Sequence, residues 1–213
     1  MEIQINLEVI QAIALFQAKQ NIRYYLNGIL LETGSDGARL VATDGHTMAI
    51  ANVSNDVFPA ASIIIPRDMV DQLKGKSICH PIFSFDAGNC SDRHSEDSVK
   101  TNYDIMINWQ GNILVSKEID GMFPDYSRII PRQPASGEVA QYNPEYLTRI
   151  VKANQLLNGK NAKYPGICHN GGNVGYVVLG DFIALIMPIE AKPSFEIPAW
   201  VTIELNLAVA LAA

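Results

Sequence analysis

Apolar and polar positions recur along this chain with two different periods, and the switches between them mark its elements. Residues 6–19 (NLEVIQAIALFQAK) place Leu7, Ile10, Ile13 and Ala14 on one helix face, with Asn6 in position to cap the first turn. Ile22-Arg23-Tyr24-Tyr25-Leu26 is rich in β-branched and aromatic residues and predicts a strand, which Asn27-Gly28 breaks or bulges. Residues 29–32 (ILLE) resume it, the polar Gly34-Ser35-Asp36-Gly37 reverses the chain, and 39–43 (RLVAT) return. Asp44-Gly45-His46 then turns tightly before Met48-Ala49-Ile50 extends again. Residues 60–65 predict a short apolar strand. Pro66 suits the first position of a helix from Arg67 to about Lys74, with Met69, Val70 and Leu73 on one side and Arg67 and Lys74 on the other.

Residues 75–102 are polar and irregular and predict one long exposed hairpin or loop. Residues 103–109 alternate as a strand, Gly111-Asn112 turns, and 113–117 return. The stretch 132–137 (RQPASG) reads as a linker. A strand at 138–141 leads to Asn143-Pro144, an N-cap followed by proline, and a helix over 144–157. Leu147, Ile150 and Val151 form its apolar side, with Arg149 and Lys152 opposite. Strands at 166–169, 175–179 and 182–189 complete the pattern. The order strand, helix, strands thus appears three times, starting near Ile3, Ile63 and Val139, a repeat of roughly 60–75 residues. The expected class is α+β, in β-α-β-β-β units with helices on one face of antiparallel sheets. The expected divisions are a domain over 1–133, a half-size unit over 138–189 and an extension over 190–213.

Composition narrows the function. The net charge of −6 excludes a protein basic over its whole surface, though not one with a single basic face. No apolar run approaches the roughly 20 residues that cross a bilayer, so no membrane partner is expected. The acidic start Met1-Glu2-Ile3-Gln4 lacks the features of a secretory leader, and the expected location is cytoplasmic. Cys79, Cys90 and Cys168 make no disulfide framework and read as free thiols. Cys79-His80 and Cys90-x-x-x-His94 match no zinc spacing, so neither metal nor other cofactor is expected. Asp44 and His46 suggest an acid/base pair, but neighbours in a tight turn point apart and no Ser or Cys stands in a nucleophile context. With no Gly-Lys-Ser/Thr phosphate loop either, no catalytic residue is assigned and no enzyme is expected.

Two segments carry a specific resemblance: RYYLNGILLE followed by VATDGHTMA, and Ile119-Asp120-Gly121-Met122-Phe123-Pro124-Asp125-Tyr126-Ser127-Arg128-Ile129-Ile130-Pro131. In order and spacing they resemble the middle domain of the bacterial sliding clamp, the DNA polymerase III beta subunit. The resemblance is clear over residues 1–133, weaker over 138–189 and absent from 190 onward. It implies a DNA-clamp-like fold and, between the middle and last domains, a pocket for an extended peptide of the form Gln-Leu-x-Leu-Phe. Carried over by position, that pocket comprises Leu26, Thr43, Gly45, His46, Thr47, Met48, Pro131, Asn143, Tyr146, Leu185, Ile186, Met187 and Pro188. An apolar slot with a few fixed polar groups suits such a peptide, while the same Leu and Met residues also read as core.

For duplex DNA, the resemblance points to Gln20 and Arg67, and helix geometry or proximity adds Arg23, Lys74, Arg149 and Lys152. Such contacts are expected to be sequence-independent and directed at phosphates. Two departures stand out: Thr47 and Asp68 occupy positions where that family usually carries a base.

The implied function is a processivity or tethering factor that forms a homo-oligomer around DNA. Its partners would be DNA polymerase and other proteins bearing a clamp-binding peptide, with a clamp loader. A full clamp subunit has three domains of two units each, so closure here would need more copies, and four chains supply the same number of units. The alternative is a non-encircling, peptide-binding module that modulates replication proteins. The ending is unlike a clamp: 201–207 (VTIELNL) reads as an added strand, and Glu204-Leu205-Asn206-Leu207 echoes a clamp-binding peptide.

Overall fold

The computed structural model describes residues 1–75, 80–85 and 104–190. The fold is α+β. A first unit runs β1 (Glu2–Gln4), α1 (Leu7–Ala14), β2 (Gly28–Gly34), β3 (Gly37–Thr43), β4 (Thr47–Ser54). A second repeats the order as β5 (Ala61–Pro66), α2 (Arg67–Val70), β6 (Ile82–Ser84), β7 (Asp104–Trp109), β8 (Asn112–Lys117). A third contributes α3 (Pro144–Asn158), β9 (Gly175–Leu179) and β10 (Phe182–Ile186).

The first strand of each of the first two units joins the sheet of the other. β1 pairs with β6 in a sheet ordered β1-β6-β7-β8, and β5 pairs with β2 in one ordered β5-β2-β3-β4-β10-β9. All the pairings are antiparallel. β10 lies along β4 from Phe182↔Ala51 to Ile186↔Thr47, so the larger sheet continues across the expected 132–137 linker.

Side chains of this sheet alternate strictly, as a period of two requires. Ile29, Leu31, Leu40, Ala42, Ala49, Ile63, Ile65, Phe182, Ala184 and Ile186 face Leu7, Ile10 and Ile13 of α1 and Ile150 and Ala153 of α3 in one core. Leu30, Val41, Met48, Ile50, Ile64 and Leu185 face the other way, under Ile119, Phe123, Tyr126 and Ile130. Burial on both faces explains why these strands read as nearly unbroken apolar runs.

Several elements differ from the sequence reading. Residues 22–26 are not a strand; Tyr24–Asn27 forms a 3₁₀ turn. The Asn21 amide donates to Asn27 Oδ1 at 2.9 Å and Asn27 Nδ2 donates to the Asn21 carbonyl at 3.2 Å, bonds that compete with extended structure. α1 ends at Ala14, five residues short of expectation (19 − 14), because the Leu15 and Phe16 amides switch to Ala12 and Ile13 and tighten the last turn. Pro66 ends β5 rather than opening α2, which closes at Val70 and continues as turns to Leu73.

The supposed loop at 75–102 contains β6; its remaining residues 76–79 and 86–102, with Cys79, Cys90 and His94, lie outside the described residues. The β7–β8 turn is Gln110-Gly111, one residue earlier than expected, both with positive φ (50° and 79°), as a type I′ turn requires. Residues 138–141 and 166–169 are not strands: Gly137 bonds His169, Ile189 bonds Gln141, and Cys168 and Tyr176 make one isolated bridge. The third unit therefore lacks its expected first strand. β10 stops at Ile186, and the tail from residue 191 lies outside the described residues.

Gly37 has φ 111°, and a Cβ there would sit 2.2 Å from the Ser54 carbonyl oxygen, whereas a Cβ on Gly34 meets nothing within 4 Å. Gly37→Ala is expected to destabilise the fold by about 2–4 kcal/mol in chemical denaturation, with Gly34→Ala close to neutral.

Candidate functional site

The β3–β4 connection is built from short polar side chains that bond their own backbone. Asp44 Oδ1 accepts from the His46 amide at 2.9 Å, the Thr47 amide at 2.8 Å and Thr47 Oγ1 at 3.1 Å. Thr43 Oγ1 donates to the Thr47 carbonyl at 2.7 Å and accepts from the Gly45 amide at 3.0 Å. Gly45 takes φ 95°, and a Cβ there would lie 2.8 Å from Arg23 Nη2, so the turn needs glycine both for its backbone and for the guanidinium passing over it. With its carboxylate committed to amides, Asp44 holds the backbone of His46 and not its imidazole, and the two form no acid/base pair.

α3 presents the opposing wall. Asn143 Oδ1 caps it by accepting from the Glu145 amide at 2.9 Å, and Tyr146 and Arg149, three residues apart, share the side facing the turn. The Tyr146 ring stacks on His46 with centroids 5.9 Å apart and planes at 15°. The Arg149 guanidinium lies 5.1 Å above the Tyr146 ring, pairs with Asp44 and donates to Thr47 Oγ1 at 3.2 Å. The Met187 amide donates to the His46 carbonyl at 3.0 Å, bringing the end of β10 to the same place.

Burial would raise the Asp44 pKa, but the Thr47 and His46 amides and Arg149 outweigh it and hold the carboxyl below its ordinary 3.8.

Thr43, Gly45, His46, Thr47, Tyr146 and Met187 therefore converge on one turn, helix and strand end. Met48 and Leu185 are paired partners on the outer face of the sheet, both buried. Pro131 follows Ile130, which packs on that cluster, and Pro188 is half-buried beside Met187. Ile186 pairs with Thr47 but faces the helices with no exposure, so its side chain is core. Leu26 is buried in the 3₁₀ turn, and the Asn143 side chain serves as the cap.

Of the expected DNA contacts, Gln20, Arg23, Lys74 and Lys152 are exposed. Arg67 donates Nη1 to the Ala18 carbonyl at 2.9 Å and pairs with Asp71, tying α2 to the chain after α1. Arg149 departs from expectation: its side chain is only 22% exposed and turned into the junction with Asp44, itself 15% exposed.

The sequence reading also missed a groove of about 440 Å³ between the β2–β3 hairpin and residues 121–130, lined by Glu32, Arg39, Phe123 and Tyr126 among others. No expected pocket residue lines it. At its base the Tyr126 hydroxyl donates to Glu32, and burial together with Glu32 pushes that phenol well above its ordinary value. Among the described residues no cluster of His, Cys, Asp and Glu is placed to hold a metal, and no helix is long and apolar enough to cross a membrane.

Known proteins resemble this chain in sequence and in fold. Residues 3–80 match the family profile of the DNA polymerase III beta subunit, central domain. The beta sliding clamp of Escherichia coli K12 is 35% identical over 127 residues, covering 59% of this chain and 31% of the clamp. That of Haemophilus influenzae is 30% identical over 156 residues, covering 73% and 39%. The chain thus spans about a third of the length of the curated relatives it matches. In fold it is similar to a Pseudomonas aeruginosa DNA polymerase sliding clamp, with TM-score 0.64 at 17% identity over 90% of this chain and 66% of that one. It is also similar to the Borrelia burgdorferi DNA polymerase III subunit beta, with TM-score 0.66 at 16% identity over 90% and 65%.

The depressed Asp44 pKa gives a signed prediction. Its contribution to stability is present above the unfolded value of 3.8 and is lost as pH falls through the lower folded value. Asp44→Asn should be less stable than wild type by about 1–3 kcal/mol near neutrality. In denaturation curves recorded from pH 7 downward, that gap should close below pH 3.8.

Proposed function

We propose that this chain, which belongs to the DNA polymerase III beta subunit family, acts as a sliding-clamp-like tether. In this reading it multimerises around duplex DNA and holds polymerase and other peptide-bearing partners there, with a clamp loader placing it. Its role is binding rather than catalysis, in the cytoplasm. The observation that carries the reading is the coincidence of two matches: the first of the two segments falls within residues 3–80, which match the central-domain profile, and 90% of the chain aligns with a clamp fold.

The peptide-binding part rests on the junction of turn, α3 and β10. The stacked His46–Tyr146 pair forms a rigid aromatic wall, and the backbone bond from Met187 to His46 fixes the strand end beside it. Side chains locked this way present apolar contact area with little ordering left to pay for on binding. Polar support comes from Asp44, Thr47 and Arg149 beneath. The DNA-facing part rests on α1, α2 and α3 covering the same side of the larger sheet, with Lys74 and Lys152 exposed and Gln20, Arg23 and Arg67 as further contacts. Contacts this sparse suit sliding, since they attract phosphates without reading bases.

One observation favours a second reading, a non-encircling module that competes for clamp-binding proteins. Arg149 is withdrawn into the Asp44 pair, which thins the basic lining while leaving the peptide site intact.

Two measurements test these readings. Light scattering across a concentration series should give a closed multimer, retained on circular DNA and released when the circle is cut. A monomer at every concentration would exclude self-assembled encirclement and leave the peptide-binding module. Separately, replacing His46 and Met187 with Ala should weaken binding of a Gln-Leu-x-Leu-Phe peptide by about tenfold or more. Undiminished binding with an intact fold would remove the pocket.

A further inference from the structure

The two complete units end on equivalent strands with unequal surroundings. β4 closes the first and is paired along its outer edge with β10, while its outward side chains Met48 and Ile50 are buried. β8 closes the second and stands at the edge of its sheet, and among the described residues no strand pairs with its free side. Because the Gln110-Gly111 loop has two residues, Trp109 and Asn112 are a hydrogen-bonded pair. Alternation from there aims the backbone groups of Ile113, Val115 and Lys117 away from β7. Ile113 and Val115 are 65% and 62% exposed on the outer face, and Met106, opposite Val115, is 46% exposed. An open edge beside an apolar row is what a lone domain normally blunts with charge, proline or a covering segment.

We propose that this edge docks a second copy of the chain, β8 pairing antiparallel with the partner's β8 about a two-fold axis through Leu114. The sequence is self-complementary in that register. Ile113 falls opposite Val115 of the partner subunit on both sides of the axis, giving two pairs of β-branched side chains on the outer face. The free backbone groups of the same residues exchange reciprocal hydrogen bonds. Lys117, the one charged residue in β8, falls opposite a glycine and meets no like charge. Shifting the register so that Val115 pairs with itself sets Lys117 against Ile113 instead.

Other edges of the molecule make poorer partners. β9 is partly occupied by the Cys168–Tyr176 bridge. β5 is capped where the Ile119 amide bonds the Ile64 carbonyl at 2.9 Å, and β1 has three residues. The longest open edge therefore fits best against its own copy, and isologous two-fold contacts are the commonest kind. A strand pairing of this length buries less than the about 1,000 Å² expected of a permanent interface, so the association depends on concentration. The inference deepens the multimer reading by naming one of its contacts, and rests on that reading for its purpose.

The test uses the full chain in sedimentation equilibrium, with hydrogen exchange across residues 112–117. In Val115→Pro the lost N–H is one that points outward, so the monomer keeps its ladder to β7; Ile113→Lys places a charge in the paired row. Both should weaken dimerisation by about tenfold or more, and wild-type β8 amides should gain protection as concentration rises. Unchanged association in both variants would overturn the β8 contact while leaving multimerisation standing. Loss of association in Val178→Pro alone would overturn it in favour of β9. A wild-type monomer with β8 amides protected at every concentration would show that the chain covers its own edge. A wild-type monomer with unprotected amides would overturn this contact and encirclement together.

Discussion

The pairing of β10 along β4 is the contact on which the candidate site depends. It converts β4 from an edge into an interior strand and brings a segment some 130 residues further along the chain beside the 44–46 turn. Because Ile186 lies opposite Thr47, the next residue, Met187, reaches His46 with its amide. A slip of one residue would reverse every side chain of β10, sending Leu185 to the helices and Ile186 to the outer cluster. Apolar burial on both faces makes that slip expensive, so the core sets the register and the register sets the site.

On this frame α3 is oriented by chemistry as much as by packing. Ile150 and Ala153 insert between the sheet and α1, which fixes the helix axis, while Arg149 and Tyr146 fix its rotation by engaging Asp44 and His46. A guanidinium that pairs with a carboxylate and lies over a ring at once is a demanding arrangement, and one that lysine would not reproduce. The carboxylate it meets already bonds two backbone amides, so helix and turn are held as one unit.

Much of the fold was legible in the sequence because its elements announce themselves locally. Asn143-Pro144 marks the start of α3, whose observed end is one residue from the expected one (158 − 157); apolar runs bounded by polar turns mark β2 and β3, and strict alternation marks β7. The misreadings share a cause: a few specific bonds outweighed average preference. Asn21 and Asn27 curl a stretch that by composition belongs in a sheet, and three residues suffice for β6 inside a polar region because its partners β1 and β7 supply the ladder. The site was less legible. Pattern alone reads Leu26, Leu185 and Met187 as core, and for Leu26 and Leu185 that is how the side chains stand, while Met187 is exposed. His46 and Tyr146 came into view through resemblance, since nothing in their spacing, 100 residues apart (146 − 46), signals a stacked pair. Helix geometry set Arg149 on a polar side but carried no information about what that side meets.

The exchange of first strands between the two units also bears on how the chain is made. β1 precedes its partner β6 by about 80 residues (84 − 2), with Glu2 opposite Ser84. Likewise β2 receives β5 from beyond the first unit. During synthesis β1 thus stays unmated until β6 has been made, and pairings so distant in sequence slow folding. The same wiring makes the two units inseparable: a cut between β4 and β5 would leave each half holding a strand that belongs to the other.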